Sequence, residues 1–315
     1  MMKRLLALLA LTLGFAVSPA AFSACITGDA LFSHAGLKTA DVAFRDYAIH
    51  FYRDKRCEAE PESRIAGIEI LKAGKRVYIQ TGYSFALGYP LEQDQPPDSL
   101  KLKAGDDMTG AGLPDLLISE WSGGAHCCYT FHIFELGDTF RKLQSIPVFD
   151  ADESAFVQRA GVKGLVLDTA DYSAFAYFPS GFAGSPAGRV LLSFQEGQFR
   201  LDPGLMKAAA PAKGETAKCA ALFRKSREWK HSQPMGMWYY ATDLIYTGHQ
   251  TEALEFLKKS WGGSAEDREK YLSEYQTRLT KSVYYPQLKL LQQMGAAATD
   301  QKIDWTKQCF EYLRG

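Results

Sequence analysis

A repeated strand–turn–strand pattern constrains the fold of this chain more than any other feature, and it runs from Ala43 to Arg200. Short runs rich in β-branched and aromatic residues alternate there with turns that contain glycine. The pattern predicts one strand and three hairpins, which are Tyr47–Tyr52, Ile68–Gln80 with its turn at Ala73-Gly74, Phe131–Leu143 with its turn at Gly137-Asp138, and Arg189–Leu201 with its turn at Glu196-Gly197. We therefore expect an all-β region.

The last two hairpins resemble each other at a spacing of about 60 residues. Phe134–Arg141 aligns with Phe194–Arg200, and Phe156–Asp168 occupies the place that Asp107–Ser119 holds in the first copy. A period of this length suits blade-like β units stacked side by side. The alternative is that any two β-hairpins share this much similarity.

Helical periodicity replaces the strand pattern after Asp202. An Ala- and Gly-containing segment at 206–214 predicts a linker, and apolar stripes at helical spacing follow it. The predicted stripes contain Cys219, Leu222, Phe223, Met237, Ala241, Leu244, Ile245, Ala253, Leu254, Leu257, Trp261, Tyr271, Leu272, Tyr275, Leu279, Leu290, Leu291, Met294, Ile303, Trp305, Cys309 and Phe310. The predicted fold class is α+β with two domains: an all-β domain at 25–205 and an all-α helical bundle at 215–315.

The first 24 residues have the layout of a secretory signal peptide. Lys3 and Arg4 precede an apolar run that is too short to cross a bilayer of ~30 Å, and small residues follow it. We expect an exported protein, periplasmic or secreted, without a transmembrane segment. Ser23-Ala24 before Cys25 leaves open a lipoprotein in which Cys25 is acylated.

The charge balance excludes the partners that need a basic surface. The whole chain has formal charge +0, and removing Lys3 and Arg4 with the signal leaves the mature chain near −2. Nothing in that balance indicates nucleic acid or an anionic membrane surface. We expect a protein or cell-envelope partner, and the sequence does not decide the oligomeric state.

The six cysteines predict disulfides before they predict metal, because an even count in an exported chain is typical of oxidised pairs. Cys219 and Cys309 bracket the helical region and form the first predicted pair. Cys25 and Cys57 bracket the N-terminal segment and form the second. Cys127 and Cys128 would then form a vicinal disulfide or remain buried thiols.

The segment from Asp107 to Leu117 resembles the calcium-binding loop of FG-GAP or VCBS-type repeats, the units of β-propellers in integrins and bacterial exported proteins. The resemblance implies degenerate propeller-like blade units in the β domain. It also implies Ca²⁺ ligands at Asp107, Thr109 and Asp115, with the carbonyl of Leu113.

Ala111 departs from this family pattern, since the family has an oxygen-bearing side chain there. Calcium takes six to eight oxygen ligands, so the resemblance implies at most a weak site. The alternative is a loop that survives only as a glycine-rich turn, in which Gly110 and Gly112 supply unusual dihedral angles.

A His-Cys-Cys strand follows the motif, and alternation places its side chains on two faces. His126, Cys128, Thr130 and His132 share the face that could carry nitrogen and sulfur ligands, whereas Cys127 shares the apolar face. His126 and His132 would be about 20 Å apart at ~3.3 Å per residue, too far for one ion. No third residue orients a Cys–His pair, so we favour a structural strand.

The helical region contains a segment, Leu244 to Leu257, that resembles a tetratricopeptide hairpin, with Gly248 at the turn and Ala253 at the helix contact. Such bundles dock on partners. We therefore expect an exported, non-enzymatic binding protein. The alternative is a periplasmic hydrolase, or another enzyme, with a site between the two domains. Its candidate residues are His126, Asp115 and the acidic run Asp150–Glu153.

Overall fold

The computed structural model describes residues 25–57, 65–90, 100–124, 128–149, 154–294 and 302–314. The predicted signal peptide at 1–24, His126, Cys127 and the acidic run Asp150–Glu153 lie outside these ranges. Within them the chain is α+β, with antiparallel sheets first and helices afterwards, as the sequence predicts.

Twelve described strands form three sheets of four strands each, and every sheet is built from strands consecutive in the chain. Sheet 1 contains β1 (Lys38–Phe44), β2 (Tyr47–Arg53), β3 (Ala66–Lys72) and β4 (Lys75–Gly82). Sheet 2 contains β5 (Ser84–Leu87), β6 (Asp115–Trp121), β7 (Tyr129–Leu136) and β8 (Phe140–Phe149). Sheet 3 contains β9 (Ala155–Val157), β10 (Val166–Asp171), β11 (Gly188–Gln195) and β12 (Gln198–Leu201).

The helices of the described chain follow the predicted stripes. They are α1 (Pro203–Met206), α2 (Glu215–Arg224), α3 (Met235–Tyr246), α4 (Gln250–Ser260), α5 (Ala265–Leu279), α6 (Tyr285–Gln293) and α7 (Trp305–Arg314). Gly248 has φ +91° and makes the turn between α3 and α4, as predicted. Leu222, Leu290 and Phe310 are exposed, because each lies at the edge of its stripe rather than at its centre.

The predicted hairpin turns form where the sequence places them. Ala73 and Gly74 both have positive φ, as do Glu196 and Gly197. Two-residue turns of this kind match the right-handed twist of the strands they join. The three predicted hairpins are β3–β4, β7–β8 and β11–β12.

Two hydrophobic clusters hold the sheets and helices together. The smaller cluster lies between sheets 1 and 2 and includes Ile49, Ile70 and Phe134. The larger cluster begins on the opposite face of sheet 2, at Phe131, and continues through sheet 3 into the helices. The helical region therefore packs directly on its own β region.

The start of the predicted linker is part of this packing. Met206, Lys207 and Ala208 are buried, and Met206 belongs to the larger cluster. Trp305 at the start of α7 also donates from Nε1 to the carbonyl of Ala209, at 3.0 Å. The domain boundaries stay a prediction, but the two regions share one core.

The structure confirms one predicted disulfide and corrects another. Cys219 and Cys309 are bonded and join α2 to α7. The predicted bond between Cys25 and Cys57 does not form. The Cys57 thiol donates instead to the carbonyl of Ile26, at 3.7 Å, while the Ile26 N–H donates to Asp54.

No helix in the described ranges is both long enough and apolar enough to cross a membrane.

Candidate functional site

The motif loop, Asp106 to Asp115, leads into β6 and is closed by its own carboxylates. The N–H groups of Met108 and Thr109 both donate to Asp115 Oδ2, each at 2.9 Å. The N–H of Gly112 donates to Asp107 Oδ2 at 2.8 Å. These bonds hold the loop in one shape.

The glycines of the loop allow it to touch sheet 3. Gly110 and Gly112 have φ of +73° and +77°. A Cβ at Gly110 would lie 2.5 Å from the backbone nitrogen of Gly164, in the loop before β10. The N–H of Leu165 also donates to the carbonyl of Met108, at 2.8 Å. The loop is therefore a backbone contact between sheets 2 and 3.

One oxygen of the loop is left without a partner. Asp115 is fully buried, and its Oδ1 makes no hydrogen bond, whereas Oδ2 accepts two. Burial raises the pKa of the Asp115 carboxyl to about 6, although the N–H groups of Met108 and Thr109 and the side chain of Thr109 act in the opposite direction. An orphaned, buried carboxylate oxygen favours a proton or a cation.

The predicted calcium ligands are close together but incomplete. Thr109 Oγ1 lies 3.4 Å from Asp107 Oδ1, and the Asp107 charge contributes to the raised pKa of Asp115. Asp106 lies at the start of the loop, where its Oδ2 accepts from the N–H of Lys103 at 2.7 Å. Across the described residues, no group of three His, Cys, Asp or Glu side chains could hold a metal ion. The residues present fit a weak calcium site at most.

The turn after β6 is held by aromatic side chains. Trp121 donates from Nε1 to the carbonyl of Gly124 at 3.0 Å, and Gly123 packs on the ring of Tyr83. Cys128 is disulfide-bonded, so it is not a thiol. A vicinal bond to Cys127 stays a prediction, because Cys127 lies outside the described residues.

His132 is buried, not solvated, and lies in a network that crosses three strands. Its Nε2 is 2.8 Å from Glu120 Oε2 on β6, and its Nδ1 is 2.8 Å from Ser145 Oγ on β8. Gln80 on β4 donates from Nε2 to the same Glu120 oxygen at 2.7 Å. The network therefore also ties sheet 1 to sheet 2.

The sequence prediction missed Glu120 and Ser145. Strand alternation groups His132 only with residues of its own strand. Its real partners are 12 and 13 residues away in the chain, and the β6–β7–β8 register brings them together. Strand alternation identifies these partners only when the register of β6, β7 and β8 is known.

Cavities of about 700, 490 and 230 Å³ open on the helical region in the described part of the chain. One, of about 700 Å³, lies at the turn between α3 and α4 and is lined by Lys207, Ala208, Ala209, Ala210, Gly248, His249, Gln250, Thr251, Glu252, Leu254 and Gln292. Another, of about 230 Å³, lies where β11 meets α3 and α7 and is lined by Arg189, Leu191, Met206, Asp243, Tyr246, Thr247, Ile303 and Gln308.

The first cavity contains two buried basic side chains. Lys207 is 5% exposed, and its Nζ donates to the carbonyl of Gly248 at 3.0 Å. His249 Nε2 is 3.1 Å from the carbonyl of Ala208, and because a carbonyl only accepts, this nitrogen carries the hydrogen. Burial lowers the pKa of both side chains. Groups that lose charge on burial regain it when an anion approaches.

Comparison of the chain with protein-family models, with curated proteins and with solved structures found no match.

Proposed function

We propose that this protein is an exported binding protein in which a β scaffold supports a helical binding site. The observation that carries the proposal is the cavity of about 700 Å³ at the α3–α4 turn, which contains the buried ammonium group of Lys207. Glu252 in the same cavity raises the pKa of Lys207, but burial has the larger effect and lowers it, so a further anion would stabilise the charged lysine. A binding role supplies that anion.

The chemistry of the cavity favours a carboxylate on a protein partner. The helix α4 begins in its wall, and helix N-termini attract negative charge. The apolar side chains of Ala208, Ala210 and Leu254 surround these polar groups. The volume suits a short peptide segment, within the range of ~300–1,000 Å³ of ligand pockets.

The test is an NMR titration with short blocked peptides, each supplied with a free C-terminal carboxylate and as the amide. We expect the carboxylate forms to shift the amide signals of Gly248 to Glu252, and the amidated forms to shift them much less. Lys207→Met should weaken binding at least tenfold, whereas Lys213→Met, at an exposed lysine, should not. A peptide concentration of 10 mM is high enough to reveal binding with a dissociation constant of ~1 mM. If no free-carboxylate peptide shifts these signals at that concentration, the proposal is contradicted.

The FG-GAP or VCBS resemblance is the second part of the proposal. Three consecutive four-stranded antiparallel sheets are the kind of unit from which propellers are built. The motif loop precedes a central strand of sheet 2, and the Gly164 loop precedes the equivalent strand of sheet 3. This equivalence supports a degenerate repeat of blade-like units.

We also propose a weak calcium ion at the motif loop. Asp115 Oδ1 supports it, since that buried oxygen has no other partner. Asp107, Thr109 and the carbonyl of Leu113 would complete the protein ligands, with water at the place of Ala111. The ion would supply stability to the loop and no chemistry.

One observation supports the enzyme alternative, and it lies in the predicted cleft between the β region and the helices. Burial raises the pKa of Asp243 to about 6, in the cavity that Arg189 also lines. A carboxyl group that is protonated near neutral pH suits general acid catalysis. Turnover of any ester, phosphate or glycoside substrate that is lost in Asp243→Asn at unchanged melting temperature would favour this alternative over the binding role.

A further inference from the structure

We propose that Ser145 is a nucleophile activated by His132, with Glu120 as the positioning residue, and that this face of sheet 2 hydrolyses carboxylic esters. The site is separate from the helical cavity. It rests on three side chains from adjacent strands, joined in the order Ser145, His132, Glu120 by contacts of 2.8 Å each.

The hydrogen-bond directions follow from the groups present. Two groups face His132 Nε2: Glu120 Oε2 at 2.8 Å and Gln80 Nε2 at 3.2 Å. Gln80 Nε2 donates to the same Glu120 oxygen, and a carboxylate only accepts, so the contact with Glu120 assigns the hydrogen to His132 Nε2. In the neutral imidazole Nδ1 then has a free lone pair, and the hydroxyl of Ser145 donates to it. A serine hydroxyl that donates to an imidazole, itself oriented by a carboxylate, is the arrangement that activates a serine nucleophile.

The three groups differ in their access to solvent. Ser145 is exposed on β8, an edge strand of sheet 2. The side chain of Glu120 is 20% exposed and that of His132 only 4%, so the base is shielded while the hydroxyl is open to a substrate.

A cation lies on the same face of the sheet. Lys142 pairs with Phe134, and a register shift separates this pair from that of His132 with Ser145. Its Nζ is held at 2.8 Å from Tyr78 Oη. Positive charge near a reacting carbonyl stabilises the oxyanion that forms during attack.

This geometry supports hydrolysis of an ester through an acyl–Ser145 intermediate. Ser145 Oγ attacks the ester carbonyl carbon, its proton moves to His132 Nδ1, and a tetrahedral oxyanion forms. The intermediate then breaks the bond to the alcohol, which leaves with the proton from Nδ1. Water then gives a proton to His132 Nδ1 and adds to the acyl carbon, the bond to Ser145 Oγ breaks, and Oγ takes the proton back from Nδ1 as the carboxylic acid leaves.

The decisive experiment uses a fluorophosphonate probe on the purified mature protein, with intact mass and peptide mapping as readouts. We expect one probe adduct, on Ser145, and none in Ser145→Ala. Ser232→Ala, which removes an exposed serine of the helical region, should label like the parent protein. No adduct on the parent protein, or equal labelling of Ser145→Ala, would overturn the proposal.

Two further variants separate the base from the positioning residue. His132→Gln should slow labelling and p-nitrophenyl acetate hydrolysis by at least ~100-fold, the usual contribution of a general base. Glu120→Gln should slow both less, and Glu120→Asp should recover part of the loss. Equal rates in Glu120→Gln and the parent would remove Glu120 from the site. Because His132 is buried, melting temperatures accompany each rate, and the exposed Ser145→Ala variant remains decisive if His132→Gln unfolds.

Discussion

Two buried carboxylates, in two regions of the molecule, differ in whether both of their oxygens accept hydrogen bonds. At the junction of sheet 3 with the helices, Asp171 Oδ2 accepts from Tyr246 Oη at 2.6 Å and from Ser282 Oγ at 2.5 Å, and Oδ1 accepts from the N–H of Ser173 at 2.8 Å. In the motif loop, Asp115 leaves Oδ1 without a donor. The first carboxylate joins elements of structure, whereas the second has capacity for a ligand.

The difference also appears in the packing around each group. The junction contains stacked aromatic rings, such as Phe175 against Tyr275 with centroids 4.5 Å apart, and Gly188 lies against the ring of Tyr246. The motif loop is contacted mainly by backbone, at Gly110 and Gly164. We infer that the junction holds the fold together and that the loop adds a smaller, adjustable contribution.

Removing the junction carboxylate should have the largest effect on stability. Asp171→Ala leaves the buried hydroxyls of Tyr246 and Ser282 without their acceptor, and each unsatisfied group costs about 1–3 kcal/mol. We expect a loss of about 3–5 kcal/mol in the free energy of unfolding, measured with urea.

Asp168→Ala is the matched control on the same strand. Asp168, whose side chain is 18% exposed, pairs with Arg159 and Arg189, whose side chains are 34% and 55% exposed. Ion pairs that are open to solvent contribute about 0–1 kcal/mol each. If Asp171→Ala and Asp168→Ala lose the same free energy of unfolding, the carboxylate of the junction contributes no more to stability than that of Asp168.

The next largest effect is expected at the contact between Gly110 of the motif loop and Gly164 of the loop before β10. Gly110→Ala places a Cβ 2.5 Å from the Gly164 nitrogen in a backbone of positive φ, so the two loops must separate. We expect a loss above about 3 kcal/mol, as for other strained and overpacked sites.

Gly112→Ala separates strain from contact. Gly112 has a similar φ, but nothing lies within 4 Å of the added Cβ. We expect a loss of only about 1 kcal/mol from the backbone conformation. If both variants lose the same amount in thermal melts, the contact with Gly164 contributes nothing.

Local signals predicted much of this fold, and long-range register decided the rest. The hairpin turn at Ala73-Gly74 and the helix turn at Gly248 could be placed because their dihedral angles depend on neighbouring residues alone. The Glu120–His132–Ser145 network required the pairing of three strands.

The burial of Lys207 could not be predicted from local sequence or from strand register. The residue lies in a segment whose composition predicts a linker, yet Met206 and Ala208 beside it are buried against the folded chain. Composition alone does not report which surface covers a segment. The predicted Cys25–Cys57 bond failed for a related reason, because spacing does not show that the Cys57 thiol faces the carbonyl of Ile26.

The junction should also respond to pH through Asp243. Burial raises the pKa of this carboxyl to about 6, so the folded protein binds a proton that the unfolded chain releases above about pH 4. Stability should therefore fall as pH rises from about 4 to 6 and then level off.

Asp243→Asn removes this titration. Its stability relative to the parent should increase across that window by about 2 kcal/mol, measured by urea unfolding at several pH values. Glu311→Gln, at an exposed carboxylate of α7, is the control and should follow the parent curve. Parallel curves for Asp243→Asn and the parent would show that burial of Asp243 has no effect on its protonation.

The smallest expected effect is that of calcium on the motif loop, and it decides whether the free oxygen of Asp115 binds a ligand. An ion that binds only the folded protein stabilises it by about 1.4 kcal/mol at ten times its dissociation constant. With Ala111 in place of an oxygen ligand, we expect that constant at ~10⁻⁴–10⁻³ M. The melting temperature should therefore rise between zero and 10 mM CaCl₂, about ten times the weaker limit. Ala111→Asp should shift the response to lower concentration, whereas Asp115→Asn and Asp107→Asn should abolish it. A melting temperature that is constant across this range in the parent and in Ala111→Asp would leave Asp115, like Asp171, as a purely structural carboxylate, and the contrast between the two regions would then be one of packing alone.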